Sequence, residues 1–524
     1  MNTRAKKIVL LLLAAALLAG SGRLEKSING DRALLGLTIS QPLKDAPPLL
    51  AFTTVALGGF RGLISNYLWI RSNDLQMDDK YFEAAQLADW ITDMEPHFAL
   101  VWVYQAWNMT FNISVKFKEN APGVYSDRWH WVERGIELLR DRALLYNPDD
   151  VLIYRELAWD FQFKLGQDLD DGNRYYKAEW AKEMTPFFGP DGTNFEDMIH
   201  PQTAEEKTNA LVLRDKYKID PVFAQKVDGE YGPLDWRLPE AHAIYWAALG
   251  LEKAKENPGK VNADDLIQLR RVIYQSIFQA FKQGRLISNP FASQGIELVP
   301  DLDLVSRVND VYLQMYDEEK DPGQKSGISG ARRYFLMDAV YMLYENNRIA
   351  EAQKWFDYLG KNYPDKPIFD KDPKSLPKTL TLDEYAYDRV QEDVAQTSLP
   401  NITSAVQGML LRSFLYLAIG QNDRSVNYQL LAEKIYKRYQ KDWGEQQPRV
   451  KLPEFADLRK EVLNPLLDPQ HGLPYAYRAV LITDLGLTNA PAATISTNAV
   501  PAVNSTNTAP AATNKPAPAA LPGG

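Results

Sequence analysis

Three groups of polar and tryptophan residues interrupt otherwise apolar stretches of the sequence, and they are its candidate binding residues. Arginine and tryptophan are enriched at the energetic centres of binding surfaces, and a buried amide needs a partner in protein, water or ligand. The three groups are Arg61, Asn66, Trp69 and Arg71; Trp107, Asn108 and Asn112; and Asp235, Trp236, Arg237 and His242.

The same residues also have a structural interpretation, which the sequence alone favours. Asn108 and Asn112 are four residues apart, so on a helix they share one face. Asp235 precedes Pro239, and this spacing predicts that Asp235 caps a helix that the proline opens. Arginine and asparagine side chains of this kind often satisfy loop carbonyls and helix ends.

Motifs for catalysis are missing from the sequence. It contains no glycine-rich phosphate loop, no paired-histidine zinc helix, no nucleophile elbow and no dinucleotide fingerprint. Residues 167–172 resemble a calcium loop, but Gln167 and Leu169 occupy two of the ligand positions and supply no carboxylate. A solvated turn is therefore expected there. Glu240 and His242 are two residues apart and cannot chelate a metal from one helix face. We expect no metal and no cofactor.

Composition excludes further classes of function. The chain has 59 basic and 68 acidic residues, a net charge of -9, and no basic run that could follow a phosphate backbone, so no nucleic-acid partner is expected. It has no cysteine, which excludes disulfides, thiolate metal sites and thiol nucleophiles.

The N-terminus is typical of an exported protein. Arg4, Lys6 and Lys7 precede an apolar run over residues 8–19, which predicts a signal peptide or an uncleaved membrane anchor within residues 1–22. Membrane attachment would then use residues 4–22, and the bulk of the chain would lie in the periplasm or cell envelope. Ser21 stands where a lipoprotein would need a cysteine.

Two segments outside the expected core are predicted to lack packed structure. Residues 23–48 are interpreted as a linker, and residues 488–524, rich in Ala, Thr, Asn and Pro, as a disordered tail. Between them, the apolar run over residues 49–60 is too short to span a bilayer and predicts a buried first helix.

Helical periodicity organises the rest of the chain into pairs. Leu68, Ser72 and Leu75 share a helix face, residues 78–80 interrupt it, and a second helix follows until Pro96 ends it. A similar pair runs from Leu336 to Pro364, with a turn at residues 345–347. Helices joined by such short turns must be antiparallel.

These pairs resemble the tetratricopeptide repeat. Ala84 and Ala352 stand where that repeat places a small residue, Phe356 supplies the bulky residue one turn later, and Pro96 and Pro364 close the units. Ala88 and Val340 depart from the family pattern. Residues 58–62, 106–109 and 235–239 also resemble signature stretches of an uncharacterised family of bacterial exported repeat proteins, a resemblance that implies no activity.

Weaker pairs are predicted over residues 99–146 and 410–439, whereas residues 166–235 show little periodicity and are interpreted as a loop-rich insertion. The expected architecture is all-α: tetratricopeptide-like antiparallel helix pairs stacked in a solenoid, in an N-terminal region over residues 49–165 and a C-terminal region over residues 236–487.

A solenoid of this kind predicts a scaffold with a protein or peptide partner on its concave face, and no enzyme. The alternative is a carbohydrate-active enzyme or glycan-binding protein on a helical toroid, for which Asp235 and Glu240 are candidate carboxylates. The oligomeric state does not follow from the sequence.

Overall fold

A computed structural model describes residues 3–34, 61–258, 261–368, 374–393, 399–444 and 453–487. Helices dominate this part of the chain, which confirms the all-α expectation. The first helix, α1, spans Thr3–Leu34, so residues 23–34 of the predicted linker are helical. The predicted apolar helix at residues 49–60 and the tail at residues 488–524 lie outside the described residues. Of the helices that are described, none is both long and apolar enough to cross a membrane.

The N-terminal region is built mainly from five α-helices. They are α2 (Arg61–Met77), α3 (Tyr81–Met94), α4 (Ala99–Trp107), α5 (Ser126–Glu137) and α6 (Val151–Trp159). Three of them continue into wider π-helical turns: α4 into Asn108–Ile113, α5 into Leu138–Ala143 and α6 into Asp160–Leu165.

The predicted loop-rich insertion is mostly helical. It contains α7 (Asn173–Phe188), α8 (Glu196–Ile199), α9 (Ala204–Asp215) and α10 (Pro221–Tyr231). Its Pro, Asp and Thr residues open helices: Pro221 follows the capping residue Asp220, and Thr203 forms a capping box with Glu206. The prediction of loops was wrong because these residues mark helix starts as often as they mark loops.

The C-terminal region continues with longer helices and one short antiparallel β-hairpin. The helices are α11 (Pro239–Glu256), α12 (Ala263–Gln283), α13 (Val305–Glu318), α14 (Pro322–Glu345), α15 (Ile349–Asn362), α16 (Leu382–Asp393), α17 (Leu399–Ala418), α18 (Asn422–Gly444), α19 (Phe455–Leu467) and α20 (Tyr475–Asp484). The strands β1 (Arg285–Ser288) and β2 (Ile296–Val299) pair between α12 and α13, with Arg285 opposite Val299.

Three helix hairpins share one crossing geometry: α2 with α3, α14 with α15, and α17 with α18. In each hairpin, a buried residue of the first helix is paired with a buried residue of the second helix, twelve positions later in the chain. In two hairpins the contact is a hydrogen bond, from Ser72 Oγ to the Ala84 carbonyl at 3.3 Å and from Ser413 Oγ to the Ser425 carbonyl at 2.8 Å. Val340 and Ala352 are the equivalent pair in α14 and α15. Except for Val340, the side chains at these points are small, which lets the helix axes approach closely.

The turns of these three hairpins are also equivalent. Each contains one residue in the left-handed conformation, namely Asp79 (φ 60°), Asn347 (φ 57°) and Gly420 (φ 77°). The next residue donates its backbone N–H to a carbonyl five residues earlier: Lys80 to Leu75, Arg348 to Leu343, and Gln421 to Tyr416. This is the bond that closes a helix in the Schellman motif. The predicted turns at residues 78–80 and 345–347 are therefore confirmed.

Proline closes four of the helical segments in the same way. The residue before the proline leaves the helical conformation, with φ between -125° and -134° and ψ between 53° and 60°, at Glu95, Asn147, Asn257 and Tyr363. The ring of the following proline disfavours the helical conformation at that residue, which is why each helix ends there.

Candidate functional site

A groove between α4, α6 and α12 is the candidate binding site. Its volume of about 540 Å³ lies within the range of roughly 300–1,000 Å³ that small-molecule sites occupy. Nine residues line it: Trp107, Arg155, Glu156, Trp159, Gln162, Gln268, Arg271, Val272 and Gln275.

Two helix faces form the walls of this groove. Arg155 and Glu156 are adjacent on α6, and Trp159 lies one turn later. Asp150 caps the first turn of this helix by accepting a hydrogen bond from the Leu152 amide. The wall on α12 consists of Gln268, Arg271, Val272 and Gln275, spaced at three and four residues so that they share a face. The side chain of Gln162 joins the walls, because its Nε2 donates to Gln275 Oε1 at 2.9 Å.

The two groove tryptophans stand at equivalent positions of a short repeated motif. Ala106-Trp107-Asn108 and Ala158-Trp159-Asp160 are each followed by a phenylalanine, and each tryptophan directly precedes a π-helical turn. Such turns occur frequently at functional sites, since the wider turn changes the direction of the side chains that flank it. The repeat places both indole rings at one groove.

Phenylalanines support the two tryptophans from behind. Trp159 stacks on Phe163 with ring centroids 4.5 Å apart and planes 8° from parallel, and Trp107 stacks on Phe111 at 6.3 Å. Phe111 and Phe163 contact each other at 6.1 Å, which makes one continuous set of four rings. Trp107 keeps 38% of its surface exposed. Its ring is therefore both held in place and accessible to a ligand.

Two carboxyl groups lie at the α6 wall, Glu156 in the lining and Asp160 behind it. Burial raises the pKa of Glu156 to about 7, against a smaller lowering by Arg155. Asp160, one helical turn later, is completely buried; burial and the nearby Glu156 raise its pKa well above the usual range. Neither oxygen of the Asp160 carboxyl bonds to another described atom. Because Asp160 is completely buried, Glu156 is the carboxyl of this pair that faces the groove.

The two arginines of the groove differ in what they contact. Arg155 donates to Asp265 at 2.5 Å, an ion pair that links α6 to the start of α12. Arg271 is exposed, and its guanidinium makes no hydrogen bond or ion pair within the described part of the chain. Its neighbour Arg270 is paired instead with Glu318 at 3.4 Å, outside the groove. Arg271 is thus the groove cation that remains for a ligand.

The structure brings only one of the sequence-predicted groups into this site. Trp107 lines the groove, while Asn108 beside it is buried and accepts a hydrogen bond from Asn112 Nδ2 at 3.1 Å. The predicted shared face is confirmed, and one hydrogen bond joins the two amides.

The first predicted group lies elsewhere, on α2. Asn66 and Arg71 are exposed, and Trp69 packs on the ring of Tyr104 with centroids 4.9 Å apart. Arg61 begins α2, but its side chain is outside the described part of the structure. Asn66, Trp69 and Arg71 do not line the groove.

The third predicted group is buried and has a packing role. Asp235 accepts two hydrogen bonds from the Arg237 guanidinium, at 2.8 and 2.6 Å, and further ones from the Arg237 and Leu286 amides, both at 3.1 Å. Arg237 in turn donates to the carbonyls of Leu286 and Pro190. The pair therefore joins β1 to the turn that follows α7. The prediction that Asp235 caps α11 was wrong: Leu238 is the capping position, and Asp235 is occupied by this ion pair.

His242 lies in an aromatic cage in the core. Its ring is within 6 Å of the rings of Phe161, Trp180 and Trp236, and its Nε2 is 2.8 Å from the Trp236 carbonyl oxygen. Burial lowers its pKa to about 4. Trp236 is also fully buried. These residues hold α11 in the core and are inaccessible from the surface.

The segment that resembles a calcium loop is an ion-pair network. Asp170 accepts from Lys164 at 2.6 Å, from Arg128 at 3.2 Å and from the hydroxyl of Tyr176 at 3.0 Å. The expectation of a solvated turn was wrong for Asp170, whose side chain is 10% exposed. Two cations already neutralise this carboxylate. Within the described residues, no group of three potential metal ligands comes together.

Sequence reasoning missed most of the groove. Trp159, Glu156 and the α12 wall were not candidates, because α12 is remote in sequence and nothing in the chain indicates which helix faces α6. One signal was available: the Ala-Trp-Asn and Ala-Trp-Asp motifs, each with a phenylalanine four residues after the tryptophan, pair Trp107 with Trp159. No family model, curated protein or solved structure matches this chain.

Proposed function

We propose that the protein is an exported binding scaffold of the cell envelope, in which tetratricopeptide-like helix pairs stack as a solenoid and hold the tryptophan-lined groove for a partner. The observation that carries this proposal is the pair of supported indole rings, Trp107 and Trp159, at a groove with an unpaired arginine. Side chains of these types supply most of the energy at binding surfaces.

The equivalent hairpins support the tetratricopeptide-like part of the proposal. Shared crossing residues, left-handed turns and proline closures are what repeated helix pairs require if each unit is to pack on the next. The basic and apolar N-terminus supports export and attachment through residues 4–22.

A binding role fits the groove better than hydrolysis does. Glycoside hydrolysis needs two carboxyl groups on opposite sides of the substrate. Glu156 alone faces the groove, because Asp160 is on the same helix and completely buried. The candidate acids Asp235 and Glu240 are also buried and lie outside the groove lining.

The proposal is tested by photo-crosslinking from within the groove. A photoreactive amino acid replaces Gln275 in the full chain, which is expressed in a bacterial host and irradiated in intact cells. We expect a discrete adduct that disappears in the Trp107→Ala/Trp159→Ala double variant, because the partner loses both aromatic contacts.

The matched control carries the photoreactive residue at Gln353, an exposed glutamine of α15 that does not line the groove. Its products should be independent of the tryptophan substitutions. If the position 275 adduct is absent, or persists unchanged in the double variant, the groove is not a binding site and the proposal fails.

A further inference from the structure

The chemical composition of the groove wall narrows the class of ligand. Eight of its nine lining residues are aromatic, charged or amide side chains, and Val272 is the only aliphatic one. A peptide that anchors by leucine or phenylalanine needs an apolar pocket, which this groove does not offer. Flat indole rings beside planar hydrogen-bonding groups instead suit a ligand with apolar faces and a polar rim.

Sugar rings have this combination of surfaces. The axial C–H groups of a pyranose pack on an indole face, while its hydroxyls project sideways and can donate and accept. Gln268 and Gln275 are both exposed on the α12 wall, and an amide supplies donors and an acceptor together. Glu156 adds a carboxyl group on the opposite wall.

The charges of the groove favour an acidic sugar. Arg155 is neutralised by Asp265, whereas Arg271 is exposed beside the amides without a partner in the described structure. A guanidinium binds a carboxylate by two parallel hydrogen bonds, which adds both affinity and orientation.

We propose that the groove binds a glycan that carries carboxylate groups, with Trp107 and Trp159 stacking on its rings and Arg271 binding a carboxylate. This inference rests on the proposed binding function and specifies the ligand class of the same groove.

Calorimetric titration of the full chain tests this inference with matched probes. Tetragalacturonic acid supplies both rings and carboxylates, its methyl ester keeps the rings without the charge, and tetra-aspartate keeps the charge without the rings. We expect the acid to bind, the ester to bind about tenfold more weakly, and tetra-aspartate not to bind.

Substitutions assign the contacts. Arg271→Gln should lower the affinity for the acid about tenfold and leave that for the ester unchanged, since only the acid carries the contacted charge. Arg270→Gln is the matched control: it removes an adjacent arginine on α12 that pairs with Glu318, and it should alter neither affinity.

The tryptophans are tested in the same way. Trp159→Ala should lower the affinities for acid and ester together by about tenfold or more, whereas Trp90→Ala, which removes a 50% exposed tryptophan of α3, should not. Arg271→Gln does not depend on core packing, so it keeps the test decisive if a tryptophan variant fails to fold.

Failure of the inference can be told apart from failure of the function. If tetra-aspartate binds as well as the acid, or if the acid does not bind at millimolar concentration, the glycan assignment is overturned. A Trp-dependent adduct at position 275 that contains a peptide would then keep the scaffold and replace its ligand class. Loss of that adduct as well would overturn both.

Discussion

At the scale of single residues, Glu240 and His242 place two titratable groups in one core. Burial raises the pKa of Glu240 to about 7 and lowers that of His242 to about 4. The two carboxyl oxygens of Glu240 and the Nδ1 atom of His242 make no hydrogen bond to any described atom. Lack of solvation therefore keeps His242 neutral near neutral pH and leaves Glu240 only partly ionised there.

The two shifts act on stability with opposite signs. In the unfolded chain Glu240 loses its proton near the ordinary pKa of 4.5, whereas in the folded chain it keeps the proton until about pH 7. The free energy of unfolding therefore falls as pH rises across that interval. In the unfolded chain His242 takes up a proton near pH 6.5, whereas in the folded chain it does so only near pH 4. The free energy of unfolding therefore falls as pH falls across that interval.

Glu240→Gln should therefore remove the loss of stability with rising pH and leave the His242 contribution, which lowers stability as pH falls. Relative to the wild type, the free energy of unfolding of the variant should rise with pH between 4.5 and 7 by up to about 1.4 kcal/mol per pH unit. Denaturant titrations of both proteins at a series of pH values measure the difference. Parallel curves would show that Glu240 is not desolvated in the folded state.

The residues also show the limits of prediction from sequence. The shared face of Asn108 and Asn112 followed from their spacing, because a helix fixes which residues lie on the same side. Asp235 does not cap α11, because its carboxylate pairs with Arg237 and also accepts from the Leu286 amide, which belongs to a strand that is distant in the chain. Contacts between residues that are far apart in the sequence depend on the assembled fold.

At the scale of elements, the helix hairpin is the unit that the sequence specifies best. A polar turn with one left-handed residue, a small crossing residue and a closing proline are all local features, so α2–α3 and α14–α15 could be predicted with their turns. Helix α7 could not, because its buried tryptophan, tyrosine and phenylalanine side chains lie on several faces and leave no clear apolar stripe.

The crossing of α17 and α18 is close enough for an engineered disulfide to join the two helices. The hydroxyl oxygens of Ser413 and Ser425 are 3.2 Å apart, and the chain has no cysteine that could compete. Ser413→Cys/Ser425→Cys should oxidise fully, since these side chains already approach closely enough for a short move to join two sulfurs. Thiol titration under native conditions measures the reaction.

The control pairs Ser425→Cys with Ser404→Cys, on the same helix as Ser413 but more than two turns away. That protein should retain two free thiols per chain. Two free thiols in the Ser413→Cys/Ser425→Cys protein after oxidation would contradict the hairpin register.

The left-handed turn residue of α14–α15 gives a second element-scale prediction. Asn347→Ala should lower the free energy of unfolding by about 1 kcal/mol, because alanine is strained at φ 57°. Asn347→Gly should cause no loss, since glycine adopts this conformation freely. Thermal and denaturant unfolding of the two variants compare them directly. Equal losses in both would mean that the asparagine side chain, rather than the backbone, sustains the turn.

At the scale of the whole molecule, the groove depends on helices from both predicted helical regions. Trp107 and Trp159 come from the N-terminal region and Arg271 from α12 in the C-terminal region, which the ion pair between Arg155 and Asp265 helps to join. The all-α class could be read from periodicity along the chain. The site could not, because it exists only where these two regions pack together.

The most direct measurement for the binding claim is an NMR spectrum of the indole groups in the full chain, with and without solubilised bacterial envelope material. The chain has twelve tryptophans, and single Trp→Phe variants assign the relevant resonances. Binding in the groove predicts that the signals of Trp107 and Trp159 shift or broaden while that of the exposed Trp90 does not. Unchanged signals for the two groove tryptophans, or equal changes at all three, would contradict it.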